Sequence, residues 1–375
     1  MEIKLKDVII SANTGADAIR RAPIVDHDTG IKCLRIGDIS NRRKYSDWGY
    51  TNVDEDNYKR YKLRKGNIII ARTGSTVGIN KYIENDCKAV YNNGLIRLVI
   101  DETKYNSRFI YYIIQMKEFR NYINGIAFGT TGQPNIQIND LLNFKFNNII
   151  LEKQNKIVNI LENIDKKIEL NNQINDNLYE ISKQLLLKYL HDNSNTEKIN
   201  ISKLLNVFTG KKNANETSPT GKYKFFSCAP ESLLSDTYIY DGAAIIVAGN
   251  GAYTGRTRFY DGKFELYQRT YGLTLKDDFD KDNIYGLYVF MKTIFEPDKM
   301  GGTHGSAIPY IVLSDLTDYK LKYNKTEFDK FSNLVSSNIK MIQENEFENE
   351  RLIQLRDILL PKLINGEINI EKIEL

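Results

Sequence analysis

The chain has 375 residues, 41% of them hydrophobic and 27% charged, with a formal net charge of +4, which is room for two or three globular domains. No apolar run approaches 18 residues and the opening MEIKLKDVIIS is too polar for a secretory leader, so neither a membrane span nor export is expected. Cys33, Cys87 and Cys228 are scattered with no CxxC, and there are only three histidines, which argues for reduced thiols in a cytoplasm and against a disulfide or zinc framework.

Charge is unevenly spread. Residues 1–150 hold 23 Lys and Arg against 16 Asp and Glu, whereas residues 327–375 hold 6 against 10. A basic globular surface is compatible with nucleic acid, and an acidic helical segment is better suited to meeting protein.

In chain order, Val8–Ile10 predicts an opening strand, and Ile31–Ile39 a second extended stretch. Between Arg42 and Arg72 lie nine basic and four acidic residues, interleaved with Tyr45, Trp48, Tyr50, Tyr58 and Tyr61. Arg42, Arg43 and Lys44 suit a phosphate backbone, and the aromatics either pack on bases and sugars or anchor a solvated loop. Ile68–Ala71 predicts a short buried strand that runs into Arg72-Thr-Gly-Ser-Thr-Val-Gly78. Its glycines fit a tight loop whose N–H groups approach a phosphate, or equally a plain hairpin turn. Arg72, Thr73, Ser75 and Thr76 tip the choice toward phosphate. It is not a Walker loop, because Ile79 and Asn80 follow Gly78. The stretch from Gly129 to Asn135 carries Thr131, Gln133 and Asn135 ahead of an expected strand, Ile136–Ile138. Gln and Asn are the side chains that pair bidentately with adenine, though a polar turn explains them as well.

Leu151–Leu190 contains no Gly or Pro and predicts one helix about 60 Å long. Ile157, Leu161, Ile164 and Ile168 follow a 4-3-4 spacing, and after Asn171 the series Ile174, Leu178, Ile181, Leu185 restarts it. That narrow seam needs a partner helix. The comparable stretch is Glu327–Leu363, with Phe331, Val335, Ile342, Leu352, Leu355, Leu359 and Leu363, interrupted by Asn338, Asn345 and Asn349.

The two helices end two copies of one unit. Gly66–Gly78 is echoed by Asp241–Gly255, Gly129–Ile136 by Gly302–Ile308, Asn139-Asp-Leu141 by Ser314-Asp-Leu316, and Leu185–Lys188 by Leu359–Lys362, all near an offset of 175 residues. In the second copy Asn250, Tyr253, Arg256 and Arg258 occupy the comparable loop, and Thr303, His304 and Ser306 the later turn. The expected fold is α+β: two duplicated globular α/β domains separated by two long helices that form an antiparallel coiled coil. The expected boundaries are 1–150, 151–192, 193–325 and 326–375.

The sequence holds no methylation tetrad, no S-adenosylmethionine loop, no P-loop and no metal-ligand spacing, and its nuclease-like match, Glu296-Pro-Asp-Lys299, is of a length that occurs by chance in a chain with 27% charged residues. The chain resembles the specificity subunit of Type I restriction–modification systems over its whole length. The carrying residues are Leu151-Glu-Lys-Gln-Asn-Lys-Ile157 and Asp165-Lys-Lys-Ile-Glu169 for the central helix, Arg356–Ile368 for the C-terminal one, and Ile70–Gly78 for the Gly loop. Asn147-Asn-Ile-Ile150 stands where prolines usually precede the central helix. The resemblance implies a non-catalytic subunit in which each globular domain is a target-recognition domain reading one half of a split double-stranded DNA sequence. It further implies docking of two methylation subunits that carry S-adenosylmethionine, and of restriction subunits that use ATP and Mg2+. The specificity subunit of a fused methyltransferase–nuclease system, a coiled-coil adaptor that touches no DNA, and an enzyme with an unrecognised site are the competing readings.

Overall fold

The computed structural model describes residues 2–41, 43–74, 76–127, 134–213, 215–251, 253–295 and 309–369. They form two compact units, Met1–Lys166 with Leu352–Leu375, and Lys167–Arg351. Each globular domain therefore goes with part of both long helices.

The units begin alike. Glu2–Lys4 pairs antiparallel with Lys145–Asn147 and is followed by the 3-10 turn Leu5–Asp7. Lys198–Asn200 pairs antiparallel with Lys320–Lys322 and is followed by the turn Ile201–Lys203. In both, the entering chain is clamped to the strand just before a long helix.

A four-stranded antiparallel sheet centres the first unit, in the order Ile9–Thr14, Leu95–Ile100, Ile68–Ala71, Asn80–Tyr82. A second sheet orders Ile24–Val25, Tyr50–Thr51, Lys32–Leu34 and Ala89–Tyr91, the last two parallel. In the second unit Thr257–Leu266 is one long strand, and both layers merge into a six-stranded sheet with Tyr223–Phe226 parallel to it. Ile68–Ala71 is buried at every position, as its unbroken apolar run requires.

Three short sequence expectations are corrected. The expected opening strand Val8–Ile10 is instead Ile9–Thr14, the second strand of the chain after Glu2–Lys4. The stretch Ile31–Ile39 is extended only over Lys32–Leu34, then turns into helix Ile36–Ser40, because the Arg35 N–H donates to Asp38 Oδ2 at 2.9 Å and caps the turn. Ile136–Ile138 is not a strand. Helix Ile138–Leu141 starts there, and Ile136 is held singly by its N–H to Arg72 O at 2.8 Å.

The two long helices span Leu151–Asp192 and Lys325–Ile364. The second continues through Pro361 and ends at Ile364, with Gly366 at φ 74° and the Glu367 N–H reaching Lys362 O at 2.9 Å. Within the second unit, the Tyr189 ring lies 5.5 and 5.4 Å from Phe328 and Phe331. Next along, Asn338 donates to Ser182 at 3.1 Å and Asn345 to Asn175 at 2.7 Å. Asn171 then donates to Asn349 at 2.9 Å. Numbers rise along one helix as they fall along the other, so the pair is antiparallel. In the first unit Asn147 reaches Asn365 at 3.4 Å and Arg356 reaches Asp165 at 3.0 Å, so the numbers again run in opposite directions.

Ile157, Leu161, Phe331, Val335 and Ile342 are buried seam residues, Ile164, Leu178, Leu185 and Leu359 pack partly buried against the cores, and Ile168 and Leu352 are half-buried. Two seam expectations are corrected. Ile181 is 52% exposed while Ser182 beside it is fully buried, and Leu355 is 45% exposed while Arg356 turns inward. Apolar spacing selected the wrong face because polar layers fill part of the seam. The seam is also wider than a coiled coil's. Ile157 and Leu161 join Ile68, Leu98, Phe109 and Leu360 in one core, and Leu186, Tyr189, Phe328 and Val335 join Ile245, Leu273 and Leu287 in the other. A fully buried side chain such as Phe328 contributes about 2 kcal/mol, so each domain is fastened to its helix segments mainly by burial.

Candidate nucleic-acid interface

The buried strand Ile68–Ala71 delivers the chain into the Gly loop, and the hydrogen bonds of that loop decide its chemistry. Gly74 and Gly78 have φ of 87° and 86°, which L residues with a Cβ rarely adopt. The Gly74 N–H donates to Pro134 O at 3.1 Å, Val77 N–H to Gly74 O at 3.1 Å and Gly78 N–H to Ala71 O at 2.8 Å. The expected phosphate contact through glycine N–H groups is therefore not available at Gly74 and Gly78, whose donors close the turn and tie it to the 134–136 segment. The hairpin reading of the glycines holds, and any ligand chemistry lies in the side chains.

The second unit repeats this loop bond for bond. Gly251 N–H donates to Pro309 O at 3.0 Å, Thr254 N–H to Gly251 O at 3.1 Å, Gly255 N–H to Ala248 O at 2.9 Å and Ile311 N–H to Gly249 O at 2.8 Å. Gly251 and Gly255 have φ of 85° and 84°. Isolated bridges join Thr73 to Asn135 in one unit and Asn250 to Tyr310 in the other. The matching bonds make Gly249 the counterpart of Arg72, Asn250 that of Thr73, and Tyr310 that of Asn135.

The side chains on this shared frame differ. In the first unit Arg72 Nε donates to Asn135 Oδ1 at 3.3 Å. A cleft of about 180 Å³ opens beside them, lined by Thr14, Arg72, Gln137, Ile138 and Asn139. Thr73 and Thr76 are half-exposed on the loop. In the second unit no side chain fits at Gly249, where a Cβ would stand 2.5 Å from Arg269 O and 2.8 Å from the Tyr271 ring. Asn250 Oδ1 instead accepts from the Cys228 thiol at 3.1 Å, and Tyr310 is 41% exposed. Arg256 follows its loop, with its guanidinium 4.4 Å from the Tyr253 ring. Arg258 is half-buried, donates to Ala229 O and lies over Phe226. Burial, followed by the neighbouring Arg256 charge, lowers its pKa to about 10.

The family model for the Type I restriction modification DNA specificity domain matches residues 1–180 and, again, 193–346. The chain belongs to this family. The specificity chain is 28% identical over 181 residues to the Type I restriction enzyme EcoDI specificity subunit of Escherichia coli, covering 46% of the chain and 38% of that relative. It is 22% identical over 371 residues to the Type I restriction enzyme MjaIX specificity subunit of Methanocaldococcus jannaschii, covering 88% and 84%. The crystal structure of a Type-I restriction-modification system S subunit from M. genitalium aligns with a TM-score of 0.52 at 19% identity, covering 97% of this chain and 96% of that one, which shows the fold. No helix among the described residues is long and apolar enough to cross a membrane.

The remaining expected contact residues of the specificity chain divide in two. Arg43 and Lys44 are exposed, Arg43 within 3.4 Å of Asp38. Arg42, Ser75, Thr131, Gln133, Thr303, His304 and Ser306 lie outside the described residues. Of the interleaved aromatics, Trp48 and Tyr61 are core residues, 4% and 3% exposed, while Tyr45 is 41% exposed. For Trp48 and Tyr61 the anchoring reading is the right one.

Sequence reasoning also missed a matched pair of glycines. A Cβ on Gly15 would lie 2.2 Å from Tyr91 O, and one on Gly210 would lie 2.0 Å from Leu266 O. The signal was present as Thr14-Gly15 and Thr209-Gly210, but at an offset of 195 rather than 175, because the first unit has a longer run between this strand and its Gly loop.

Proposed function

We propose that the chain is the DNA-reading subunit of a Type I restriction–modification complex, each unit recognising one half of a bipartite, asymmetric double-stranded target. The carrying observation is the pair of loops. One backbone frame occurs twice, presenting Arg72 with Asn135 in one unit and Asn250, Tyr253, Arg256 and Tyr310 in the other. Equal frames with unequal side chains suit two independent readers of unlike half-sites, in which Arg72 and Arg256 hold the phosphate backbone and the unlike side chains beside them meet the bases. The chain itself contributes recognition and no bond-making or bond-breaking step. Two methylation subunits carrying S-adenosylmethionine, and restriction subunits using ATP and Mg2+, dock on the helices, whose outer faces expose Leu170, Leu187, Leu334 and Ile358.

Exchanging residues 1–150 for the first domain of another family member tests this reading. The modified motif, sequenced from cells carrying the chimera, should change in one half-site and keep the other. A change in both halves would contradict independent reading.

Arg72→Ala and Arg256→Ala should each weaken DNA binding by the assembled complex while leaving the preferred bases nearly unchanged. Both guanidiniums flank the loops, and phosphate contacts carry little sequence information. The slope of log affinity against log salt should fall by about one for each lost contact. A changed base preference at constant slope would assign these arginines to base edges instead.

A further inference from the structure

A second feature of the first unit lies where its domain helix meets the two long helices. Arg108, on the second residue of helix Ser107–Gln115, has a side chain only 12% exposed and faces three carboxylates. It pairs with Glu84, on the loop after strand Asn80–Tyr82, with Glu162 at 3.9 Å and with Asp165 at 3.5 Å, the last two on the central helix. Asp165 is 19% exposed, accepts the Tyr112 hydroxyl at 2.6 Å and accepts Arg356 Nη1 of the C-terminal helix at 3.0 Å. The Arg108 guanidinium also lies 4.7 Å from the Tyr82 ring. Sheet, domain helix and both long helices thus meet at one ionic cluster.

The corresponding junction of the second unit is built differently: Asn283 donates to Asp329 at 2.8 Å, Lys340 lies 3.7 Å from Asp282 and Lys292 lies 4.0 Å from the Tyr179 ring, around a mainly apolar centre. Ile284, the second residue of helix Asn283–Ile294, is 2% exposed, and Tyr189, Phe328 and Phe331 pack ring against ring. Apolar burial is non-directional and tolerates sliding, whereas charged hydrogen bonds fix angle and register. A half-buried ionic cluster adds little to stability, because desolvation offsets attraction. Arg108 Nε even lacks a hydrogen-bond partner. The arrangement suits orientation more than strength.

We propose that the Arg108–Asp165–Arg356 cluster is a positioning device that sets the angle of the first recognition domain on the helix pair, and with it the gap the complex accepts between half-sites. This rests on the DNA-reading function proposed above. The helices are thereby a stiff support only as far as the domain is locked to them. Glu84 and Tyr112 complete the lock from the domain side.

The test uses the assembled complex carrying Arg356→Gln, and separately Glu84→Gln at the exposed rim of the cluster, where loss of folding is not expected. Modified motifs are sequenced from cells, and binding is measured on duplexes whose gap differs by one base pair from the parent's. The expected result is unchanged bases in both half-sites, with at least tenfold weaker discrimination against the wrong gap for Arg356→Gln, a smaller loss for Glu84→Gln, and recovery of most of it by Arg356→Lys. If both Gln variants keep the parent's gap discrimination, the proposal is overturned, whatever happens to their melting temperatures. If the parent complex itself modifies no bipartite motif, the DNA-reading function fails and this proposal falls with it.

Discussion

Inserting seven residues after Asn171 and seven after Asn345 should lengthen the unread gap in the modified motif, or abolish modification if the added rotation is not absorbed. The segments 171–175 and 345–349 face each other through the Asn171–Asn349 and Asn175–Asn345 hydrogen bonds, and Lys167 pairs with Glu348 at 3.2 Å just beyond. A heptad placed within both segments leaves the two pairs intact, one on each side of the insertion, and keeps the seam in phase. Seven residues add roughly 10 Å of helix, comparable to three base pairs at about 3.4 Å each. Three base pairs are also about a third of a duplex turn, so the domains must follow the groove around as well as along. Buried Asn pairs of this kind lower stability but fix register, so a heptad inserted in only one helix should instead give misfolded chain. The motif sequenced from cells carrying the double insertion is the measurement. Full activity at the original gap would show that the helices do not set the spacing.

Gly210→Ala should destabilise the second unit selectively, and Gly15→Ala the first. The added methyl meets Leu266 O at 2.0 Å in one case and Tyr91 O at 2.2 Å in the other. These are backbone carbonyls of strands hydrogen-bonded on their far sides, Phe264–Leu266 to Tyr223–Phe226 and Ala89–Tyr91 to Lys32–Leu34. They have no rotamer by which to yield. Overpacking that moves a strand costs about 3 kcal/mol or more, against a whole-domain stability of roughly 5–15 kcal/mol. A drop of about 10 °C in the melting of the affected unit follows for a domain of this size. Gly125→Ala is the control: nothing lies within 4 Å of its Cβ position in helix Lys117–Ala127, so a gain of about 0.5–1 kcal/mol is expected. Calorimetry of each variant decides it, and a Gly210→Ala chain that melts like the parent would mean the strands separate freely.

The sequence carried the duplication because the Gly loops depend on backbone hydrogen bonds and on glycines at positive φ, both of which leave a pattern at a fixed offset. It carried the buried strand Ile68–Ala71 because an apolar run of that length has few alternatives. It also carried the extent of the central helix, since Leu151–Asp192 contains no residue that breaks one. Ile181 was misassigned because apolarity alone ranks it above Ser182, whose burial follows from Asn338 on the other helix, 156 residues away.

The candidate site divides in the same way. Two unlike loops on one repeated scaffold, basic domains and the two helices that join them are properties of local chain chemistry, and the sequence by itself determined them. Which loop groups remain available was decided only by the tertiary structure. Gly74 gives its N–H to Pro134, Arg72 leans on Asn135 63 residues away, and the Tyr271 ring and Arg269 carbonyl occupy the space where Gly249 would need a side chain. Arg108, Asp165 and Arg356 look in sequence like three ordinary surface charges. They become a cluster because antiparallel pairing brings residue 356 beside residue 165 and the domain core presses helix Ser107–Gln115 against both. A hydrogen bond needs its partner within about 3 Å, and for these groups the partner comes from a distant part of the chain that no local pattern specifies.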